Sequence, residues 1–271
     1  MVIHEPARTI RYGRCTHRDM NVKISVVLSL CVCAFTTVAA AQTPPKEPPP
    51  LWDVGLGASF VGTGGNSDTA TIGADFSMHR RWPVWQIESM ATAIRTTDNG
   101  TQTAERYLGA FRAQRKLTTI LGLTGGERAE RDRLAGMAFR SISDGGLSWA
   151  LVRDPRWLLD GVTSLALNHE HPVTGPDRND PIAVLQALSK IMLGPSADTT
   201  QRITFYPDFT DSSAYRAEAE VTVQAAMNSR LALKMAYLWR RSNSPAAGFQ
   251  KNDSTATASV VLRWKAATAA P

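Results

Sequence analysis

Residues Leu51–His79 read LWDVGLGASFVGTGGNSDTATIGADFSMH. Trp52, Val54, Leu56, Ala58 and Phe60 alternate with Asp53, Gly55, Gly57, Ser59 and Val61. After Gly62–Ser67 the period returns, with Ala70, Ile72, Ala74, Phe76 and Met78 set against Thr69, Thr71, Gly73, Asp75, Ser77 and His79. Successive side chains of a strand point to opposite faces, so this period of two describes a hairpin with one apolar and one polar face. Gly62–Ser67 is glycine-rich but lacks the Lys-Ser/Thr of a phosphate-binding loop, and it reads as the turn. The hairpin predicts the opening of a transmembrane β-barrel.

The same alternation recurs down the chain. Trp85, Ile87, Ala91 and Ala93 oppose Gln86, Glu88 and Thr92, and Tyr107, Gly109, Phe111 and Ala113 oppose Arg106, Arg112 and Gln114. Further strands are predicted over 120–126, 139–152, 157–168, 182–193, 199–210, 215–225, 231–241 and 255–264. The segment 182–193 is apolar on both parities, so a helix is an alternative there. The result is an all-β, antiparallel up-and-down barrel of about 12 strands, an even number as bacterial outer-membrane barrels have. No stretch after residue 41 is long and apolar enough for a membrane helix.

A soluble sandwich also alternates, so strand length, loops and aromatics decide between the two. The predicted strands run to about 10–13 residues, close to what crosses a bilayer at a tilt and longer than the usual soluble strand. With the N-terminus in the periplasm, the connections near Arg81, Leu117, Asp154, Ser196 and Asn228 are short and periplasmic. Those at 97–103, 127–136, 169–181 and 242–253 are longer, polar and extracellular, the asymmetry of outer-membrane barrels. Trp52, Trp82, Trp85, Trp149, Trp157 and Trp264 fall at predicted periplasmic ends, and Trp239 at the other. Phe60, Tyr107, Phe139, Phe209, Tyr215 and Tyr237 populate the extracellular ends. Aromatic rings with a polar edge favour the membrane–water interface.

Ahead of the barrel, Ile24–Ala41 is an apolar run behind Lys23 ending in Ala39-x-Ala41, the pattern of a cleavable signal peptide. Met20 is a plausible start, and an uncleaved anchor is the alternative. Bulky Leu30 directly before Cys31 argues against a lipoprotein signal. Residues 42–50, QTPPKEPPP, read as an extended Pro-rich linker, and 266–271 as a short tail after the barrel at 51–265. The formal charge of the chain is +6, but the leader carries half of it, and the remainder is too mild to indicate nucleic acid. All three cysteines lie in the leader, which excludes disulfides, Cys-based zinc sites and a Cys nucleophile from the rest.

Four further stretches occur in order: Gly64-Gly65-Asn66-Ser67-Asp68-Thr69, Thr103-Ala104-Glu105-Arg106-Tyr107-Leu108, Glu130-Arg131-Asp132-Arg133 and Ala246-Ala247-Gly248-Phe249-Gln250-Lys251-Asn252-Asp253. On these the chain resembles, from Leu51 to about Lys265, the salt-induced outer-membrane protein family, domain of unknown function 481. The resemblance implies an outer-membrane barrel and supplies no catalytic residues. Lys265–Pro271 follow Trp264, whereas barrels of this kind often end on an aromatic residue read by the assembly machinery.

Candidate chemistry is sparse. His169-Glu170-His171, with Asp177 and Asp180 nearby, places two imidazoles on one face, but no third ligand is set by spacing, and a polar loop is the preferred reading. The run Glu127–Arg133 offers Arg128, Arg131 and Arg133 to lipopolysaccharide phosphates, yet its interleaved Glu127, Glu130 and Asp132 favour a self-paired solvated loop. No Ser/His pairing or carboxylate pair is made probable by spacing, so no catalytic, cofactor or metal residues are assigned. The expected lumen carries acids Asp53, Asp75, Glu88, Asp144, Asp160, Asp208, Glu218 and Glu220. Its bases are Arg106, Arg112, Arg140, Arg202, Arg216, Lys234, Arg240 and Arg263. Balanced signs predict cross-lumen ion pairs and a narrow or occluded passage, because a strongly selective pore shows rings of one sign. The expected partners are outer-membrane lipids, lipopolysaccharide and the assembly machinery, with no nucleic acid. A soluble lipocalin-like carrier and a lipid-modifying enzyme are the alternatives.

Overall fold

The structure is a computed structural model that describes residues 51–63 and 69–266. The leader, the linker, most of the first turn (64–68) and the tail from 267 lie outside the described residues. The strands are β1 (Trp52–Thr63), β2 (Thr69–Arg81), β3 (Trp85–Asp98), β4 (Thr101–Lys116), β5 (Leu121–Asp132) and β6 (Met137–Arg153). They continue with β7 (Trp157–Pro172), β8 (Arg178–Met192), β9 (Ala197–Tyr206), β10 (Arg216–Ala226), β11 (Leu231–Ser242) and β12 (Asn252–Ala266). Each pairs antiparallel with its sequence neighbours, and β12 returns to β1 from Trp52↔Ala266 to Ala58↔Val260, closing the sheet. Closure removes both edges, so every strand has a hydrogen-bonded partner on each side. Trp264 pairs with Val54 inside this seam. Among the described residues there is no α-helix, only a 3₁₀ turn at Arg133–Ala135.

The apolar face of the sheet is the outer one. Leu165 and Leu167 are each 69% exposed, Phe60 71% and Ile72 62%. A contiguous apolar exterior of this kind is what a lipid environment accommodates and water does not. At the end holding β1's start and β12's finish, the Arg80 guanidinium lies 4.2 Å from the ring centroids of both Trp52 and Trp82, and Arg115 lies 5.8 Å from that of Trp85. These cation–π contacts tie the aromatic girdle to the charged rim.

The connections depart from expectation in three places. The predicted loop 97–103 is a two-residue turn, Asn99-Gly100, with φ of 48° and 75°. Positive φ at both central residues matches the right-handed twist of the flanking strands, and Asn-Gly adopts it at low cost. The predicted loop 169–181 shrinks to 173–177, because β7 runs to Pro172 and β8 starts at Arg178. The charged run at 127–133 is not a loop. It is the second half of β5, with only 133–136 left as connection. Long connections at that end are therefore 207–215 and 243–251, while those at the terminal end span three or four residues.

The ambiguous 182–193 segment is strand β8. Its double apolar pattern has a direct cause. Outward, Leu185 is exposed. Inward, Ile182 and Val184 join Ile142, Ala166 and Tyr206 in a small apolar cluster inside the barrel. β9 ends at Tyr206, earlier than the predicted 210, which places Asp208 and Phe209 in the following connection.

Candidate functional site: a charge network across the lumen

Inward-pointing charges of facing strands pair with one another. Glu130 on β5 is the hub, its side chain only 2% exposed. Its Oε1 accepts from Arg140 on β6 at 2.9 Å, and its Oε2 from Arg128 at 3.0 Å. Arg106 on β4 lies 3.5 Å away. Arg128 then spans the lumen, donating to Glu218 on β10 at 2.9 Å and to the Tyr206 hydroxyl on β9 at 3.0 Å. Arg140 also holds Glu170 on β7 at 2.8 Å. Arg240 on β11 reaches Asp132 at 2.8 Å, and Arg216 donates to Asn168 at 3.2 Å while covering the Tyr206 ring at 5.0 Å. A carboxylate this buried is tolerated because three guanidinium groups surround it, and removing partners singly would leave charge uncompensated.

Below this hub, toward the terminal end, Arg112 makes a bidentate pair with Asp144 at 2.7 and 2.9 Å and donates to Thr124 at 3.0 Å. Arg202 on β9 crosses to Glu88 on β3 at 3.5 Å and to Glu220 at 3.8 Å. Lys234 on β11 pairs with Asp75 on β2. Gly57 makes room for that carboxylate, because a Cβ there would overlap Asp75 Oδ2. What remains of the lumen includes two cavities of about 110 and 70 Å³ that share Arg128 and Arg202 as walls. The ion-paired side chains reach into the lumen from facing strands and line these cavities.

Of the charges expected inside, Asp160 pairs with Arg153 at the terminal end, and both side chains are well exposed. Asp53 on β1 and Arg263 on β12 share the inward parity of that end, with no ion pair to them among the described residues. Asp208 sits beyond β9 at the opposite mouth, beside Arg178 and Asp180.

Two expectations about 127–133 are overturned together. Arg128 faces the lumen and is unavailable to lipopolysaccharide, and although Arg128 and Glu130 do pair within the run, they do so inside the barrel, where Glu130 and Asp132 also bind arginines of other strands. The signal was present in the sequence: Arg128, Glu130 and Asp132 share one parity and continue the inward parity of Thr124 and Gly126. Charges on both parities hid it, since Glu127 and Arg131 alternate outward, where Glu127 is hydrogen-bonded by Ser143. Glu170, read within the His-Glu-His motif, belongs to the lumen network. Tyr206, Lys190 and Asp198 were not singled out at all, although Lys190 and Asp198 meet at 3.3 Å.

These features define a class: a closed antiparallel barrel with an apolar exterior and an ion-paired lumen. Residues 56–264 match the family described as "Protein of unknown function, DUF481", and the chain belongs to that family. No curated protein sequence matches it. Among solved structures it is similar to an outer-membrane channel from Pseudomonas putida F1, titled as COG4313, with 9% identity and a TM-score of 0.47. That match covers 83% of this chain and all of the other. It is similar also to the NanC porin (12% identity, 78% of this chain and 97% of that one, TM-score 0.44). A third is the KdgM porin in complex with disordered oligogalacturonate (9% identity, 79% and 98%, TM-score 0.40). At these identities the likeness is one of architecture and says nothing of a solute.

Proposed function

We propose that this chain is an outer-membrane barrel of a Gram-negative bacterium, exported by its leader, whose lumen is narrowed by ion pairs to a passage for small solutes at most. The observation that carries the reading is the inversion of polarity: exposed leucine, isoleucine and phenylalanine outside, paired arginines and carboxylates inside. A lipocalin-like soluble carrier needs the reverse, a polar exterior around an apolar cavity. The chain ends would face the periplasm, with the two longer connections outside. Membrane lipids and lipopolysaccharide contact the outer face, and the assembly machinery inserts the barrel. The role is structural or conductive and not catalytic.

Recording purified barrels in a planar bilayer tests this. Small discrete steps, or silence relieved by removing Arg128 or Glu130, are expected. A wide, constant conductance from the unaltered chain would overturn the narrow lumen. Recovery of the processed chain with soluble periplasmic proteins, without heat-modifiable gel mobility, would overturn the membrane placement.

A further inference from the structure

His169 and His171 stand two residues apart near the end of β7, so both rings project from its outer face at the rim opposite the chain termini. The rings meet edge to face, with centroids 4.5 Å apart and planes at 88°, and their Nε2 atoms lie 2.8 Å from each other. Each ring's other nitrogen already has a partner. His171 Nδ1 faces Asp177 Oδ1 at 2.6 Å, and His169 Nδ1 meets the side-chain oxygen of Asn179. A carboxylate and an amide oxygen accept, so an Nδ1–H on each ring satisfies both contacts and leaves the Nε2 atoms turned toward each other. Two nitrogens 2.8 Å apart can each lie about 2.0–2.1 Å from one ion set to the side of the line between them, as adjacent ligands of a single metal. Oxygen acceptors on the far nitrogen are also what fixes tautomer and ring orientation in histidine metal ligands.

We propose that His169 and His171 bind one divalent transition-metal ion through their Nε2 atoms, oriented by Asn179 and Asp177. Imidazole donors suit copper, nickel or zinc, and not calcium or magnesium, which take oxygen ligands. Among the described residues no cluster of three or more His, Cys, Asp or Glu side chains forms a metal site, so the proposed site has two protein ligands. The site is open to solvent, with the His171 side chain 40% exposed and that of Asp177 59%. It joins the end of β7 to the start of β8, across the connection 173–177. Sequence spacing supplied two ligands. What it did not supply is the convergence of Nε2 atoms and the separate partner on each Nδ1.

The test is titration of the full, tag-free barrel in micelles with Cu²⁺, the strongest binder of the divalent series, followed by calorimetry and by electron paramagnetic resonance. One ion per barrel with two imidazole nitrogens is expected. His169→Gln and His171→Gln should each leave one nitrogen and weaken binding by about tenfold or more. Asp177→Asn should weaken it by about tenfold while retaining both nitrogens. His79→Gln, at the opposite end beside Glu88, should change nothing. Unaltered heat-modifiable mobility of each variant shows that the barrel has folded. Absence of binding to the unaltered chain would overturn the proposal. It would mean that the contact between the two rings is an Nε2–H···Nε2 hydrogen bond and nothing more. Binding that survives the double His169→Gln, His171→Gln substitution would overturn it equally.

Discussion

Arg128 on β5 and Glu218 on β10 meet at 2.9 Å across the barrel lumen. The contact joins opposite walls, and Arg128 lines both lumen cavities. Arg128→Ala should therefore join them and leave Glu218 and Glu130 facing the opened space. Larger single-channel steps are expected, with a reversal potential under a salt gradient displaced toward cation preference, since uncompensated carboxylates favour cations. An unchanged conductance would place the constriction elsewhere.

Glu130 is shared by Arg106, Arg128 and Arg140. Glu130→Ala takes the shared carboxylate from three buried guanidinium groups, leaving Arg128 only Glu218 and Arg140 only Glu170 as acidic partners among the described residues. Taking one partner from a buried pair costs about 3–5 kcal/mol, and a loss of at least this order is expected here. It should appear as a lower midpoint for the heat-induced gel shift and for urea unfolding in micelles. A variant as stable as the parent would show that lumen water replaces the carboxylate.

The outer face gives an independent check. Leu165 lies midway along β7 and is 69% exposed. Leu165→Arg should destabilise insertion by about 2–4 kcal/mol, the range for a cation at the bilayer midplane, as measured by folding into vesicles over a urea series. The paired measurement uses spin labels on single cysteines, convenient because the native cysteines all precede the barrel. A label at Ile72 should report lipid. One at Thr71, whose hydroxyl is hydrogen-bonded to that of Thr96 at 3.0 Å, should report water. The reverse outcome would turn the barrel's two faces around.

Asp208 organises the connection between β9 and β10. Its Oδ1 accepts from the Thr210 N–H at 2.7 Å, the Thr210 hydroxyl at 2.6 Å and the Asp211 N–H at 3.1 Å. Partial burial acts to raise its pKa, but these hydrogen bonds, those from Thr210 foremost, outweigh it and hold the group below the usual aspartate value. A depressed folded pKa means that the stabilisation is complete above the ordinary value of about 4 and is lost as pH falls through the lowered one. The amides of Thr210 and Asp211 should keep their shifts at neutral pH and move only in that acidic window. Asp208→Asn should abolish the transition, and amide shifts flat to low pH in the parent would remove the capping role.

The period-two pattern beginning at Trp52 determined that the chain is a barrel with one apolar and one polar face, because a strand's pleat alone sets which side chains share a side. The sequence therefore carried strand count, the parity of Arg202 and Lys234, and the girdle rings of Trp52 and Trp85. It did not carry the partner of any inward charge. Arg128 and Glu218 are 90 residues apart, and their meeting depends on closure and register of the whole sheet. The same gap explains the charged half of β5. Glu130 reads as a solvated residue until the neighbouring strands β4 and β6 bring Arg106 and Arg140 beside it. A buried carboxylate becomes tolerable only through those contacts. β8 shows the limit from the apolar side: Ile182 and Val184 obscured the alternation because they fill the lumen, and only the closed barrel shows what they pack against. Local pleat settled the faces. Closure settled the partners, because charge compensation and packing across a lumen are long-range properties of the fold.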